Sequence, residues 1–144
     1  MASPDANKTY LALDIGKQRI GVAIAHSVSR LPRPLTVIAN TDTILDEISQ
    51  LIRQHHAAGL VVGVPRGLNG QETDQTRYTL DFINRLVKNF NIPVHQQDEA
   101  VTSQQAETEL LSRRKPYSKA DIDALAATYI LDDFLHSLKI EELS

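Results

Sequence analysis

Residues 10–25 read YLALDIGKQRIGVAIA, which is two apolar runs separated by a short polar turn. The first run ends on a carboxylate, Asp14, and glycines at positions 16 and 21 bound the turn. Apolar runs of this length between glycines are typical of buried strands. An ionisable residue at the end of such a strand is costly to bury without a partner or a cation, although an aspartate there can also bond its own backbone. Asp14 is therefore a candidate functional residue.

The composition of the 144 residues is globular, with 42% hydrophobic and 23% charged side chains. This length predicts one domain, which we assign to residues 9–140 after a disordered N-terminal segment at residues 1–8. The absence of cysteine excludes disulfides, thiolate metal sites and a cysteine nucleophile. Because no secretory signal and no apolar run of about 20 residues is present, we expect a cytoplasmic protein without a membrane partner.

The formal net charge of −3 argues against a protein that coats nucleic acid, because such domains are usually basic. A local grip on nucleic acid remains possible through clustered cations. These clusters are Lys17 with Arg19, Arg30 with Arg33, and Arg113-Arg114-Lys115. For any one of them, an ordinary solvated surface charge is the competing interpretation.

Hydrophobic periodicity predicts an α/β domain. The first three strands are expected at Thr9–Ile15, Ile20–Ala25 and Leu35–Ile38, and their short connections require antiparallel pairing. The pattern then predicts a helix from residue 41 to about 56, a strand at Leu60–Val64, a helix around Tyr78–Val87, a strand at Pro93–Gln97 and helices at Ser103–Arg113 and Ser118–Leu138. The result is a five-stranded mixed sheet, three antiparallel strands followed by two parallel ones, flanked by helices.

Two more acidic residues join Asp14 when these elements are assembled. Glu99 follows the fifth strand, and the carboxyl ends of parallel strands share the sheet edge where ligands gather. Asp123 begins the inward apolar stripe of the last helix, which is an unusual place for a carboxylate. Asp121 is the weaker candidate, because it completes a capping box with Ser118.

Three carboxylates that converge without nearby arginines would repel one another unless a divalent cation neutralised them. Oxygen ligands favour Mg²⁺ or Mn²⁺, and a pair of such ions could activate water for phosphodiester cleavage. The alternative is three independent acidic residues at the ends of elements. The glycine-rich segment 63–70 lacks the Lys-Ser/Thr of a P-loop, but its Arg66 and Asn69 could meet phosphate beside the acidic edge.

Taken together, these motifs resemble the YqgF/RuvX family of the RuvC-like branch of the ribonuclease-H fold. The resemblance spans nearly the whole chain, through Leu13–Gly16 with Arg19–Ala23, Pro34-Leu35, Val61–Pro65 with Asn69-Gly70, Asp98-Glu99 with Thr102, and Ile122-Asp123 with Ala126-Ala127. It implies a ribonuclease-H-like sheet with Asp14, Glu99 and Asp123 as the metal-binding catalytic acids. Members look like nucleases that mature the 5′ end of pre-16S ribosomal RNA, and they have also been regarded as Holliday junction resolvases.

The chain departs from the pattern of this family at several positions. Lys17 stands where threonine or serine is usual, Gln18 where lysine is common, His26 where aspartate is frequent, and Ala100 where an arginine normally follows Asp-Glu. The added lysine and the missing arginine put the cleavage rate and the strength of substrate binding in question, but not the assignment of the three acids.

The resulting hypothesis is a metal-dependent nuclease that uses Mg²⁺ or Mn²⁺ and processes pre-16S rRNA in ribosome biogenesis. Alternatives are a Holliday junction resolvase and a catalytically weak RNA-binding protein of the same fold. Single apolar stripes on the helices predict a monomer or weak homodimer. The expected nucleic-acid-binding residues are Lys17, Arg19, Arg66, Asn69, Arg113, Arg114 and Lys115.

Overall fold

A computed structural model describes residues 7–67, 70–99 and 119–143, with side chains described for residues 122–138 of the last helix. The strands are β1 (Thr9–Ile15), β2 (Arg19–His26), β3 (Arg33–Ala39), β4 (Ala57–Pro65) and β5 (Val94–Glu99). The helices are α1 (Ile44–His55), α2 (Asp74–Asn89) and α3 (Lys119–Leu143). The predicted helix at 103–113 and the predicted cap at Ser118 lie outside the described residues.

The five strands form one mixed sheet in the order β3-β2-β1-β4-β5. β2 pairs antiparallel with β1 and β3, whereas β4 pairs parallel with β1 and β5. This topology confirms the predicted fold class. The fifth strand is longer than predicted, because the ladder with β4 continues to the pair Pro65–Glu99. Asp98 and Glu99 therefore end the strand itself instead of following it.

One face of the sheet, which we call the aliphatic face, carries large branched side chains from alternate positions of the central strands. It packs against α1 and α2 around Ile44, Ile48, Phe82, Ile83 and Leu86. The strand side chains of this cluster are Leu11, Leu13, Ile15, Ile20, Val22, Ile24, Leu60, Val62 and Val64. Successive strand residues point to opposite faces, so the residues between these positions must face the other side of the sheet.

The opposite face, which we call the small-residue face, is covered by α3. Its strand positions carry mostly short side chains: Ala12, Asp14, Gly21, Ala23, Ala25, Val61 and Gly63. Ala127, Ile130, Leu131 and Phe134 of α3 pack against it. Phe134 also meets the rings of Tyr10 and His95, with centroids 5.4 and 4.8 Å away. Short strand side chains allow a helix to lie close to the sheet.

Helix ends follow the sequence signals where they are described. His56 follows α1 in the left-handed conformation (φ 52°), which confirms the predicted end of this helix at about residue 56. Thr73 caps α2 through reciprocal hydrogen bonds with Thr76. None of the described helices is long and apolar enough to cross a membrane.

Candidate acidic site at the carboxyl edge of the sheet

Asp14 lies one position before the end of β1, on the small-residue face. Its partner across the β1–β2 ladder is Gly21. A Cβ atom on Gly21 would overlap the backbone carbonyl oxygen of Asp123 and would approach the amide nitrogen of Ala124 to 2.9 Å. The missing side chain thus lets the backbone of α3 rest directly on β2, beside Asp14. Residues 14 and 123 are brought together in this way.

The electrostatics of Asp14 reflect this placement. Its pKa is raised from 3.8 to about 7, first because burial separates the carboxyl from water and second because the charge of Asp123 is nearby. Around neutral pH, Asp14 is therefore divided between its protonated and ionised forms. A cation that bound both carboxylates would favour the ionised form and displace the proton.

Asp123 has a cationic partner, which was not predicted from the sequence. Nε of Arg19 donates a hydrogen bond to Oδ2 of Asp123 over 3.0 Å, and the side chains are only 35% and 23% exposed. The assumption that no arginine lies near the acids was therefore wrong. Arg19 is two residues before Gly21 on the same strand, so its side chain points to the same face of the sheet. The closeness of β2 and α3 brings the guanidinium to the carboxylate.

Glu99 ends β5 at the same edge of the sheet. His95, four residues earlier in the strand, stacks on Phe134 of α3, so the alternation of the strand places Glu99 on the small-residue face. The Oε1 atom of Glu99 is buried. Within the part of the chain that the structure describes, however, no three acidic or histidine side chains are close enough together to hold one metal ion. Of the three predicted acids, the structure brings Asp14 and Asp123 together, and Glu99 ends β5, which β4 separates from β1 in the sheet.

The Asp14–Asp123 pair is chemically suited to a divalent cation. Its donors are carboxylate oxygens, which Mg²⁺ and Mn²⁺ prefer. Mg²⁺ is commonly held by one or two carboxylates with water completing its coordination, so a pair is sufficient to hold it. Burial first and the charge of Asp123 second raise the pKa of Asp14, so both effects oppose a second negative charge at this place.

The predicted nucleic-acid-binding residues have different surroundings. Lys17 is exposed in the turn after Asp14, and its Nζ lies 5.8 Å from the centre of the Tyr78 ring. Arg66 is held by Asp98 at 3.3 Å and by Glu72 at 3.6 Å. Arg19 is held by Asp123, as described above. Asn69 and residues 113–115 lie outside the described residues.

Two polar side chains that were not predicted from the sequence support the turn after Asp14. Nε2 of Gln75 donates to the carbonyl oxygen of Ile15 over 2.9 Å, and Nδ2 of Asn40 donates to the carbonyl oxygen of Gly16 over 2.8 Å. Nδ2 of Asn40 also donates to the hydroxyl of Tyr78. These bonds satisfy carbonyl groups at the edge of the sheet and hold the turn in place. No local sequence pattern marks them, because each pair is at least 24 residues apart.

Comparison with solved structures defines the class of fold. The chain is similar to Thermus thermophilus RuvC, solved in complex with a Holliday junction substrate, with a TM-score of 0.56 and 15% identity over 92% of this chain and 96% of that one. It is also similar to the fowlpox virus resolvase, solved with Holliday junction DNA, with a TM-score of 0.51 and 12% identity over 90% and 98%. The fold is thus RuvC-like, within the ribonuclease-H class.

Sequence comparison narrows the class to a family. Residues 8–137 match the RuvX family, which is described as Holliday junction resolvase, and the chain belongs to this family. A protein of Sulfurihydrogenibium sp. (strain YO3AOP1), named "Putative pre-16S rRNA nuclease", is 37% identical over 89% of this chain and 90% of its own length. A protein of Rickettsia bellii (strain OSU 85-389) with the same name is 33% identical over 92% and 88%.

Proposed function

We propose that the protein is a metal-dependent nuclease that hydrolyses phosphodiester bonds at the 5′ end of precursor 16S ribosomal RNA. The observation that carries this proposal is the Asp14–Asp123 pair at the carboxyl edge of a RuvC-like sheet. The choice of RNA is supported by the names of the relatives that share 37% and 33% of its residues. The absence of cysteine suits work in the reducing cytoplasm.

Asp14 and Asp123 would hold the ion, Mg²⁺ or Mn²⁺, and Glu99 would contribute from the end of β5. When bound, the ion supplies Lewis acidity toward the phosphate and a bound water of lowered pKa. The chain contributes the rigid placement of the acids on a strand and a helix that are in contact. It also provides the partly dehydrated setting, in which charge interactions are stronger than in water.

In this proposal, the substrate is bound through a small number of contacts near the acids. Lys17 is exposed beside Asp14 and is placed to meet a phosphate of a strand that crosses the edge. Asn69, Arg113, Arg114 and Lys115 are further proposed contacts, on the evidence of the sequence alone. Arg66 is engaged by two carboxylates, so its contribution requires these ion pairs to open. A few phosphate contacts on an acidic protein suit a single-stranded flank better than a long duplex.

The test compares cleavage of an end-labelled precursor 16S RNA by the wild type, Asp14→Asn and Asp123→Asn in Mn²⁺. Asp133→Asn is the matched control, because Asp133 is an exposed aspartate on the same helix. We expect both site variants to lose at least about 100-fold in rate, since changes to the groups that only surround metal ligands already cost about 10–100-fold. Cleavage by Asp14→Asn at the wild-type rate would contradict the proposal. Tight RNA binding without cleavage by the wild type would favour the catalytically weak binding protein instead.

A resolvase is the second candidate, because the family is described by that activity. Paired cuts in a four-way junction require a two-fold dimer with both sites facing one substrate. We propose a monomer or weak dimer, because the apolar stripe of α3 is covered by the sheet of its own chain. Light scattering at micromolar concentration, combined with cleavage of a synthetic junction, tests this choice. A stable dimer that cuts the junction symmetrically and spares the RNA would establish the resolvase.

A further inference from the structure

The pair of Arg19 and Asp123 has no place in the mechanism outlined above. It joins the first residue of β2 to the fifth residue of α3, 104 positions apart in the chain. A merely solvated arginine would have no reason to adopt this position. Both side chains are mostly buried, unlike the pair of Arg77 and Asp74 on α2, which is 60% and 90% exposed. Burial makes the Arg19 pair less screened by salt.

The guanidinium of Arg19 lies beside the carboxylate of Asp123, where a metal ion held by Asp123 would also have to bind. Oδ2 of Asp123 accepts the hydrogen bond from Nε of Arg19 and cannot present the same lone pair to a cation. The guanidinium also places a positive charge within a few ångströms of any ion that bridges Asp14 and Asp123. The attraction between Arg19 and the carboxylate of Asp123 therefore opposes metal binding. The repulsion between Arg19 and the cation opposes it as well.

We propose that Arg19 is an internal counter-ion that occupies Asp123 in place of the divalent cation and competes with it. The inference rests on the proposed function in taking Asp14 and Asp123 as the metal ligands. Arg19 keeps one acid of the pair neutralised when no metal is bound, which supports the packing of α3 on β2. Binding of the ion requires this guanidinium to leave Oδ2. Arg19 thus sets the affinity of the site for metal.

The first measurement is Mn²⁺ binding without RNA, by calorimetry or by loss of the free-ion electron paramagnetic signal. Arg19→Gln should bind Mn²⁺ about tenfold more tightly than the wild type, because a positive charge a few ångströms from the ion is removed. Arg19→Lys keeps the charge and should remain within about threefold of the wild type. Arg77→Gln is the matched control, since it removes an equal charge from an exposed ion pair, and its affinity should be unchanged. The double variant Arg19→Gln with Asp123→Asn should not show the tighter Mn²⁺ binding of Arg19→Gln alone.

A Mn²⁺ affinity of Arg19→Gln equal to or below that of the wild type would overturn the inference. If Arg19→Gln does not fold, the wild type provides the test through the Nε–H resonance of Arg19 during a Mg²⁺ titration. This resonance should move toward that of a solvent-exposed arginine, and an unchanged resonance at saturating Mg²⁺ would overturn the inference.

The same data separate the two proposals. RNA cleavage by the wild type without tighter Mn²⁺ binding by Arg19→Gln would remove the inference and leave the nuclease. Tighter binding by Arg19→Gln without any RNA cleavage would support the counter-ion and reject the nuclease. If neither protein binds Mn²⁺ at millimolar concentration, both proposals fail.

Discussion

The two faces of the sheet are built from alternate residues of the same strands, yet they serve different purposes. On the aliphatic face, β1 contributes Leu11, Leu13 and Ile15 to a core shared with α1 and α2. On the small-residue face, the intervening positions are Ala12 and Asp14, under α3. Large side chains bury the area that stabilises the domain, whereas small ones admit a helix backbone close enough to bring two carboxylates together. A single strand thus provides both stability and the site.

The largest expected effect comes from weakening the aliphatic face next to the site. Leu13 is fully buried, and Leu13→Ala should lower the free energy of unfolding by about 2–5 kcal/mol, because it removes apolar contacts and leaves a cavity. Urea unfolding measures this loss. Because Leu13 points away from Asp14, cleavage well below the melting temperature should stay within a few-fold of the wild type. A loss of cleavage in the folded variant would mean that the two faces are not independent.

An intermediate effect is expected where the small-residue face meets α3. A Cβ on Gly21 meets backbone atoms of Asp123 and Ala124, which cannot rotate away, so Gly21→Ala should cost about 1–3 kcal/mol and displace the helix from the acids. Gly63→Ala is the matched control on the same face, because its Cβ meets side-chain atoms of Ile130, Cδ1 and Cγ1, instead of backbone atoms of α3. We expect Gly21→Ala to lose Mn²⁺ binding and Gly63→Ala to keep it. Equal behaviour of the two variants would contradict the close approach at Gly21.

The smallest expected effect concerns the pH dependence of stability. The pKa of Asp14 is about 7 in the folded protein and near 3.8 in the unfolded chain, so the folded protein binds the extra proton between these values. Without metal, this carboxyl should therefore make the free energy of unfolding fall as pH rises from about 4 to 7. We expect a fall of about 1–2 kcal/mol, less than the full shift implies because Asp14 is partly exposed.

Urea unfolding at several pH values in the presence of a chelator measures this slope. Asp14→Asn should flatten it and should be more stable than the wild type near pH 7, while Asp133→Asn should keep the wild-type slope. Saturating Mg²⁺ should reverse the wild-type loss, since the ion favours the ionised carboxyl. A wild-type slope retained in Asp14→Asn would assign the pH dependence to another group.

Prediction from sequence worked best where the cause is local. The bounds of β1 agree with the structure at both ends, because its apolar run is limited by polar residues and by the turn. The end of α1 at about residue 56 was likewise predicted from neighbouring residues. The end of β5 was missed because Asp98 and Glu99 carry no strand pattern, and they extend the strand only through their ladder with β4.

Features of the candidate site also fall into those that the local sequence predicts and those that depend on tertiary packing. The sequence by itself determined that Asp14 ends a buried strand and that Asp123 begins an apolar stripe, since strand and helix periodicity depend on near neighbours. Only the tertiary structure decided that Arg19 contacts Asp123 and that Arg66 is held by Asp98 and Glu72. The physical reason is distance along the chain. A charge finds its partner only after the strands and the last helix have packed, and no local pattern encodes which partner that will be.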